Sequence, residues 1–191
     1  MLLVVGGIKG GSGKTTIATN LCQMRAAAGK KVLLVDADDQ RSAYDWSLQR
    51  DNSNYGKSAV ITTICLSGKS VYTNLLKMQG DYDDIIIDTG GRDTSSQRAA
   101  LCAADKFIIP FKPRSIDVWT IGSVKTLINE CVNPKLKSYV FINQADAKGK
   151  DNEDALDVLR ECQDVECISL FIGNRKSFGN AAASIVTGKH I

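Results

Sequence analysis

The sequence predicts an α/β protein with a doubly wound, mostly parallel sheet and helices on both faces. Short, almost continuously apolar runs alternate with longer amphipathic stretches, and a glycine-rich loop joins the first run to the first amphipathic stretch. Continuous apolar runs are typical of parallel strands that are covered on both faces. The length of 191 residues fits one domain over residues 1–191, and a chain of this size buries a core without disulfides.

The predicted elements follow one another along the chain. Six runs are predicted as strands: Leu2–Ile8, Lys31–Val35, Asp84–Asp88, Phe107–Phe111, Tyr139–Asn143 and Cys167–Ile172. Six amphipathic stretches are predicted as helices: Lys14–Ala28, Ser70–Met78, Ser95–Ala104, Ser115–Cys131, Glu153–Cys162 and Ser177–Thr187. Gly29 and Gly188 stand where helix-ending glycines are expected. The polar segment Arg50–Lys69 is the least regular part and is expected to be a surface excursion.

Composition and charge exclude several classes of protein. No apolar run reaches the roughly 18 residues of a membrane helix, and Met1–Ile8 lacks the features of a secretory signal. The formal charge of +3 is mild, so binding to nucleic acid would need a clustered patch or two subunits. The six cysteines form no C-x-x-C pair, which favours reduced core thiols in a cytoplasmic protein over a metal or iron–sulfur site. His190 is the only histidine, which argues against a histidine triad.

The most informative segment follows the first predicted strand and opens the first predicted helix. It reads Lys9-Gly10-Gly11-Ser12-Gly13-Lys14-Thr15-Thr16. The glycines allow a tight turn that aims backbone N–H groups at phosphate oxygens, and the helix N-terminus adds a favourable dipole. Lys14 is expected to reach the β- and γ-phosphates of a nucleotide, and the Thr15 hydroxyl to bind Mg²⁺. The α/β fold is therefore expected to be of the phosphate-loop NTPase type. Ile8 replaces the first glycine of the standard pattern, whereas Lys9 adds a second lysine inside the loop.

In this pattern, K-G-G-x-G-K-T-T, the chain resembles the ParA/MinD family of ATPases with a deviant Walker A motif, most of all the small ParA-type partition ATPases. The resemblance covers the chain from Lys9 to the segment Asn174–Gly188. It implies ATP and Mg²⁺ as cofactors and an ATP-dependent homodimer. It also implies that Lys9 crosses the dimer interface to the partner's nucleotide, where a second cation would neutralise charge developing in phosphoryl transfer. A solvated loop lysine is the alternative.

Acidic residues follow the second predicted strand. Asp36, Asp38 and Gln40 match the family pattern D-x-D-P-Q, but Asp39 stands where relatives usually have proline. The resemblance assigns Asp38 to positioning the attacking water and Asp36 to supporting Asp38 or the water shell of the metal. Carboxylates at the carboxyl edge of a strand face the crevice where α/β sheets bind ligands. Aspartates that only cap a helix or a loop are the alternative.

The run Asp83–Gly91 has the form of a Walker B strand and the loop after it. Asp88 is expected to hold the Mg²⁺ shell through water. Gly91 matches the glycine of D-x-x-G, whose N–H can sense the γ-phosphate. Many relatives have prolines after the Asp-Thr pair, so Gly90 and Gly91 indicate a more mobile switch loop. A strand followed by an Asp-initiated turn is the plain alternative.

Three further features give weaker predictions. The resemblance gives Asn143 a role with adenine, although a turn-forming asparagine fits nearly as well. The segment Phe111–Asp117 is similar to the loop and helix start that line the family's dimer interface, and a capped helix is the alternative. A basic patch facing DNA is expected from Arg92, Arg98, Arg114, Lys176 and Lys189, each of which alone is equally a solvated charge.

The two ends of the chain and its cysteines separate it from some branches of the family. We expect no N-terminal DNA-reading extension, no final C-terminal helix and no terminal membrane anchor of the MinD kind. The nitrogenase iron-protein branch is disfavoured because its cysteines lie in glycine-rich cluster loops, whereas Cys102 is followed by two alanines.

The preferred functional hypothesis is an ATPase whose ATP-bound dimer partitions or positions DNA or another cargo. Nonspecific DNA and a stimulating partner, such as a ParB-like adaptor, are the expected ligands of the dimer, and no membrane is expected. A nucleotide-gated scaffold that positions a protein complex without DNA is the second hypothesis. A metabolic ATP-dependent enzyme on the same fold is the third. Lys9 argues against the third, because a site completed within one chain has no obvious use for it.

Overall fold

The structure is a computed structural model that describes residues 1–52, 59–113, 120–148, 150–162, 164–175 and 178. Within these residues the strands are β1 Leu2–Val5, β2 Val32–Ala37, β3 Ile61–Cys65, β4 Asp84–Thr89, β5 Lys106–Phe111, β6 Lys137–Ala145 and β7 Glu166–Gly173. The helices are α1 Lys14–Ala27, α2 Ser42–Asp51, α3 Ser70–Met78, α4 Ser95–Ala103, α5 Ile121–Glu130 and α6 Asp151–Arg160. Strands and helices therefore alternate, as the sequence predicts.

The strands form one sheet in the order β3-β2-β4-β1-β5-β6-β7, and every neighbouring pair is parallel. The central strand β1 lies between β4 and β5, so the chain winds outward from it in both directions. All carboxyl ends lie at the same edge of the sheet, which is where open α/β sheets bind ligands. The prediction of a doubly wound parallel sheet is confirmed.

The core consists of two apolar layers, one on each face of the sheet. Alternate residues of a strand point to opposite faces, so Leu3 and Val5 pack towards α1 and α2, whereas Leu2 and Val4 pack towards α3, α4, α5 and α6. The helices contribute residues that are almost fully buried: Ala18, Cys22, Ala43, Val71, Leu75, Ala100, Leu101, Val124, Leu127, Leu156 and Leu159. Continuous apolar strands are therefore required, because both faces of the sheet are covered.

Two elements were not predicted. The segment expected to be a surface excursion contains β3, an edge strand in which only Ile61 is buried, so its apolar signal is weak. Helix α2 buries Ala43, Ser47 and Arg50 against the sheet, and two of these three side chains are polar. A pattern of apolar residues cannot detect a helix with such a face.

Several predicted boundaries and features can be compared with the structure. The first strand ends at Val5 and not at Ile8, because Gly6 and Gly7 already belong to the loop. Gly29 has a φ of 77°, as expected for a residue that ends α1. Other predictions lie outside the described residues: Arg114, the start of the predicted helix Ser115–Cys131, Lys176, the helix Ser177–Thr187, Gly188, Lys189 and His190.

The cysteines within the structure are free thiols. Cys22 and Cys131 are buried, but Cys102 is exposed, so the prediction of core thiols is wrong for Cys102. Its place on the solvent side of α4 is the physical reason. Among the described residues no cluster of three metal-ligating side chains occurs. No described helix has the length and hydrophobicity needed to cross a membrane.

Candidate functional site

The loop between β1 and α1 lies at the carboxyl edge of the sheet. Gly11 and Gly13 have φ angles of 75° and 91°, values that favour glycine. Gly13 is the N-cap of α1, so no side chain caps this end, and no acidic residue lies in the first helical turn. The first N–H groups of α1 therefore remain available, which is the arrangement that binds a phosphate.

The two lysines of the loop are placed differently. Lys14 is 6% exposed, and its Nζ donates a hydrogen bond of 2.9 Å to the Lys9 carbonyl. Burial lowers the pKa of Lys14, while the negative charges of Asp88 and Asp38 oppose this shift. The side chain of Lys9 is exposed on the same loop. One ammonium group is thus held within the loop and the other lies at its surface.

Asp36, the second-last residue of β2, has a buried carboxylate whose two oxygens both accept hydrogen bonds. Oδ1 accepts a hydrogen bond from the Asp38 N–H at 3.0 Å, and Oδ2 accepts one from the Tyr44 N–H at 2.8 Å. Burial raises the pKa of Asp36, and the bonds from backbone N–H groups oppose that rise. Asp36 therefore ties the end of β2 to the first turn of α2 and fixes the backbone of Asp38. The bond from the Tyr44 N–H is the helix-capping arrangement that was the alternative prediction. The bond from the Asp38 N–H also positions Asp38, as the resemblance implies.

Asp38 is half-buried and lies against the loop that follows β4. Its Oδ1 accepts a hydrogen bond of 3.2 Å from the Gln40 N–H. A Cβ on residue 90 would lie 3.1 Å from the same oxygen, so glycine at 90 allows this close approach. Asp39 is exposed beside it. The carboxylate predicted to orient water is thus held between two loops.

Asp88 lies beside Asp36 in the register of β2 and β4 and is 1% exposed. Burial raises the pKa of Asp88 to about 7, while the nearby Thr15 hydroxyl and the Lys14 charge oppose the rise. Neither carboxylate oxygen has a hydrogen bond of ordinary geometry among the described residues. A buried carboxylate without partners is costly. Its oxygens and the Thr15 hydroxyl are hard donors of the type that Mg²⁺ prefers, so these residues fit a magnesium site.

Gly91 lies against the phosphate loop. A Cβ on residue 91 would lie 2.7 Å from the Cα of Gly10 and 2.8 Å from its nitrogen. Atoms at those distances clash, so residue 91 has to be glycine for the two loops to touch. The loop after the predicted Walker B strand therefore meets the phosphate loop backbone to backbone.

A cavity of about 750 Å³ opens between these segments. It brings together predicted site residues from three loops: Gly10, Gly11, Gly13, Lys14, Thr15, Thr16, Asp38 and Gly91. Lys9 and Ser12 line a small neighbouring cavity instead, and Asp36 and Asp88 are buried. Residues 10–16, the end of β2 and the end of β4 therefore form one site.

A second cavity, of about 430 Å³ and mostly apolar, adjoins the first between α1 and the ends of β6 and β7. Asn143 lines it, but its Nδ2 donates to the Ser12 carbonyl at 2.7 Å. Gln144 Nε2 donates to the Gly11 carbonyl at 2.9 Å, and Gln144 lines both cavities. Sequence reasoning missed Gln144. The available signal was a second amide directly after Asn143, at the edge where the sheet binds ligands.

The predicted basic patch and dimer segment are described only in part. Arg98 pairs with both Asp93 and Glu130, so its charge is compensated, and these hydrogen bonds raise its pKa. Arg92 lines the larger cavity. In the segment Phe111–Asp117, the Nζ of Lys112 lies 3.4 Å from the point that a Cβ on Gly11 would occupy. Residues 114–119 lie outside the described part of the chain.

Comparison with known proteins identifies the family. Residues 3–187 match the model of the CobQ/CobB/MinD/ParA nucleotide binding domain. The chain belongs to this family. Nucleotide binding is therefore the general property of the domain, and the resemblance stated from the deviant Walker A pattern is confirmed.

Relatives and solved structures similar to this chain have names that refer to carboxysome distribution and to plasmid partition. A maintenance of carboxysome distribution protein A from Halothiobacillus neapolitanus is 29% identical over 149 residues, which are 76% of this chain and 67% of that protein. Across the first two such relatives the aligned region spans 67% and 48% of their length. Apo McdA from Cyanothece has a TM-score of 0.77 at 17% identity, covering 98% of this chain and 90% of that one. A plasmid partition protein from Borrelia burgdorferi bound to AMPPNP has a TM-score of 0.72 at 19% identity, covering 100% and 90%.

Proposed function

We propose that this protein is an ATPase whose Mg·ATP-bound homodimer acts as a switch that positions a cargo. The observation that carries the proposal is the different placement of two lysines on one phosphate loop. Lys14 is buried and bonded to the loop, so it serves the nucleotide of its own chain. Lys9 is exposed at the surface of the loop, where a partner's nucleotide can be reached in a two-fold dimer.

Each of the described site residues has its own role in binding or hydrolysing Mg·ATP. The N–H groups of residues 10–16 and the Lys14 ammonium bind the phosphates, and Gly91 senses the terminal one. Thr15 and Asp88 hold Mg²⁺, which supplies neutralisation of phosphate charge. Asp38 orients the attacking water, and Asp36 fixes Asp38 through the bond from the Asp38 N–H. Asn143 contacts adenine with the part of its amide that the loop does not use, since its Nδ2 also donates to the Ser12 carbonyl.

Two kinds of cargo are supported by the relatives. The Halothiobacillus protein is named for carboxysome distribution, and the Borrelia structure for plasmid partition. We propose nonspecific DNA as a ligand of the ATP-bound dimer and a ParB-like adaptor or other partner as the stimulator of hydrolysis, within the cytoplasm. The compensated charge of Arg98 removes one residue from the expected patch and favours the alternative, a nucleotide-gated scaffold that positions a protein complex without DNA.

The first test concerns the phosphate loop. Lys14→Ala should lose most of its affinity for Mg·ATP, because the phosphates lose their buried cation, while the far-UV circular dichroism spectrum stays unchanged. Calorimetry that gives wild-type affinity in this variant would remove the loop from the mechanism.

The second test separates the two kinds of cargo. Asp38→Ala should bind ATP and hydrolyse it slowly, so it should stay longer on nonspecific DNA, with an affinity that falls steeply as salt rises. ATP-dependent retention on DNA supports DNA as the ligand. ATP-dependent dimers without retention support the scaffold. Unchanged turnover in an assay with the stimulating partner would exclude Asp38 as the water-positioning residue.

A further inference from the structure

The carboxyl end of β6 holds two consecutive peptide groups of the phosphate loop. Asn143 Nδ2 donates to the Ser12 carbonyl at 2.7 Å, and Gln144 Nε2 donates to the Gly11 carbonyl at 2.9 Å. The contact is tight, since a Cβ on Gly13 would lie 2.3 Å from Asn143 Nδ2. Two side-chain amides near the end of β6 therefore hold the phosphate loop by hydrogen bonds.

These bonds also fix where the loop N–H groups point. In a trans peptide the N–H of the following residue points opposite to the carbonyl, and the described chain contains no cis peptide. Because the Gly11 carbonyl points to Gln144, the Ser12 N–H points away from β6. The bond from Asn143 orients the Gly13 N–H in the same way. N–H groups held in advance bind an anion more tightly than groups that must be ordered on binding.

Gln144 has an unusual backbone conformation. Its φ is 57°, and within the described residues only Arg41 shares a positive φ among non-glycines. A left-handed conformation is unfavourable for a residue with a Cβ and is kept where surrounding structure requires it, often at functional sites. Gln144 also lines both the larger cavity and the apolar one. The strain thus occurs at the residue whose amide reaches the loop.

We propose that Gln144 is a positioning residue that orients the phosphate loop and thereby strengthens binding of the polyphosphate part of a nucleotide. The proposal rests on the nucleotide site proposed above and adds a residue that the loop motif does not contain. Losing one such hydrogen bond should weaken binding about five- to tenfold. Because the effect acts through the loop, it should be equal for a ligand with a base and a ligand without one.

The test measures the affinity of Mg·ATP and of Mg·tripolyphosphate by calorimetry in wild type, Gln144→Gly and Gln144→Met. Glycine accepts the left-handed backbone at no cost but lacks the amide. Methionine keeps the length and the backbone cost but lacks the donor. Both variants should lose affinity for both ligands by a similar factor. The Tm of Gln144→Gly should be no lower than that of wild type, so its weaker binding cannot come from lost stability.

A matched control removes hydrogen bonds at Asp146, directly after β6, without touching the phosphate loop. Asn152 accepts from the Asp146 N–H at 3.0 Å and donates to the Asp146 carbonyl at 2.8 Å, so Asn152→Ala should leave both affinities unchanged. Wild-type affinity in Gln144→Gly overturns the proposal, as does a loss for ATP alone, which would place Gln144 on the base. Failure of dimerisation or hydrolysis would count against the proposed switch only. A wild type that binds neither ligand refutes the nucleotide site itself, and this proposal with it.

Discussion

Asp36 and Asp88 are two aspartates in equivalent positions with different surroundings. They are neighbours in the register of β2 and β4, and each is 1% exposed. Asp36 accepts backbone hydrogen bonds on both oxygens, whereas neither oxygen of Asp88 has an ordinary partner among the described residues. Burial raises the pKa of both. The fold thus supplies hydrogen-bond partners to both oxygens of Asp36, and we infer that a ligand supplies them to Asp88.

A structural carboxylate and a ligand-binding carboxylate differ in the hydrogen bonds that each accepts from the protein. A buried acceptor without partners costs free energy, and natural proteins keep such groups mainly where they have a function. Position at the strand end does not distinguish the two residues, since both share it. The hydrogen-bond partners distinguish Asp36 from Asp88, and the following predictions test that distinction.

The largest expected effect is on the pH dependence of stability. In the folded protein the pKa of Asp88 is about 7, above its value of about 4 in the unfolded chain. The folded state therefore binds the proton more tightly, and this stabilisation is complete below pH of about 4 and lost as pH rises to about 7. Asp88 alone should contribute a loss of at most about 4 kcal/mol over this range without metal. Urea unfolding at several pH values in EDTA measures it.

The matched variant for this prediction is Asp88→Asn, which has no proton to lose at this position. Its stability should change less between pH 4 and 7, and above pH 7 it should exceed that of the wild type. If the free energies of unfolding of the two proteins changed in parallel with pH, burial would not raise the pKa of Asp88.

The next effect concerns Asp36, whose replacement should destabilise the protein, whereas Asp88→Asn should stabilise it above pH 7. Asp36→Ala should lower the free energy of unfolding by about 2–3 kcal/mol, because the N–H groups of Asp38 and Tyr44 lose their acceptor at the start of α2. Asp39→Ala, at an exposed position in the same loop, should change it by less than about 0.5 kcal/mol. Urea denaturation at pH 7.5 compares the two variants, and equal stabilities would contradict the capping role of Asp36.

A smaller effect, roughly tenfold in affinity or about 1.4 kcal/mol, should separate the two residues through Mg²⁺. Magnesium should strengthen ATP binding by the wild type and by Asp36→Asn, but much less by Asp88→Asn, because of the two aspartates only Asp88 has oxygens without ordinary hydrogen-bond partners among the described residues. Titrations of ATP with and without Mg²⁺ provide the measurement. Equal dependence on Mg²⁺ in all three proteins would assign the metal to other residues.

The smallest effect concerns a cation beside the phosphate loop, where Lys112 lies near Gly11. Lys112→Gln should weaken ATP binding about two- to fourfold at low salt, since a cation near the phosphates contributes a screened attraction. Lys106→Gln, at the opposite end of β5, should leave the affinity unchanged. The difference between the variants should disappear at 1 M salt, and persistence there would indicate a structural effect.

The sequence was sufficient to predict the parallel sheet and the phosphate loop, because continuous apolar strands and clustered glycines are direct consequences of burial and of phosphate geometry. It missed β3, since an edge strand needs few apolar residues, and α2, since Ser47 and Arg50 occupy its buried face. The partners of Asp36 and the amide of Gln144 were missed for a different reason. Hydrogen bonds between residues far apart in the chain depend on the assembled fold, and no local pattern contains them.

The trans-acting role proposed for Lys9, on the nucleotide of a partner subunit, is tested directly by the mass of the protein in solution with Mg·ATP. The measurement compares Asp38→Ala, in which slow turnover preserves the ATP state, with the double variant Asp38→Ala/Lys9→Ala. We expect a dimer for the first, a monomer for the second, and equal ATP affinity of both as monomers. Equal dimerisation of the two proteins would contradict the claim and leave Lys9 as a solvated lysine of the loop.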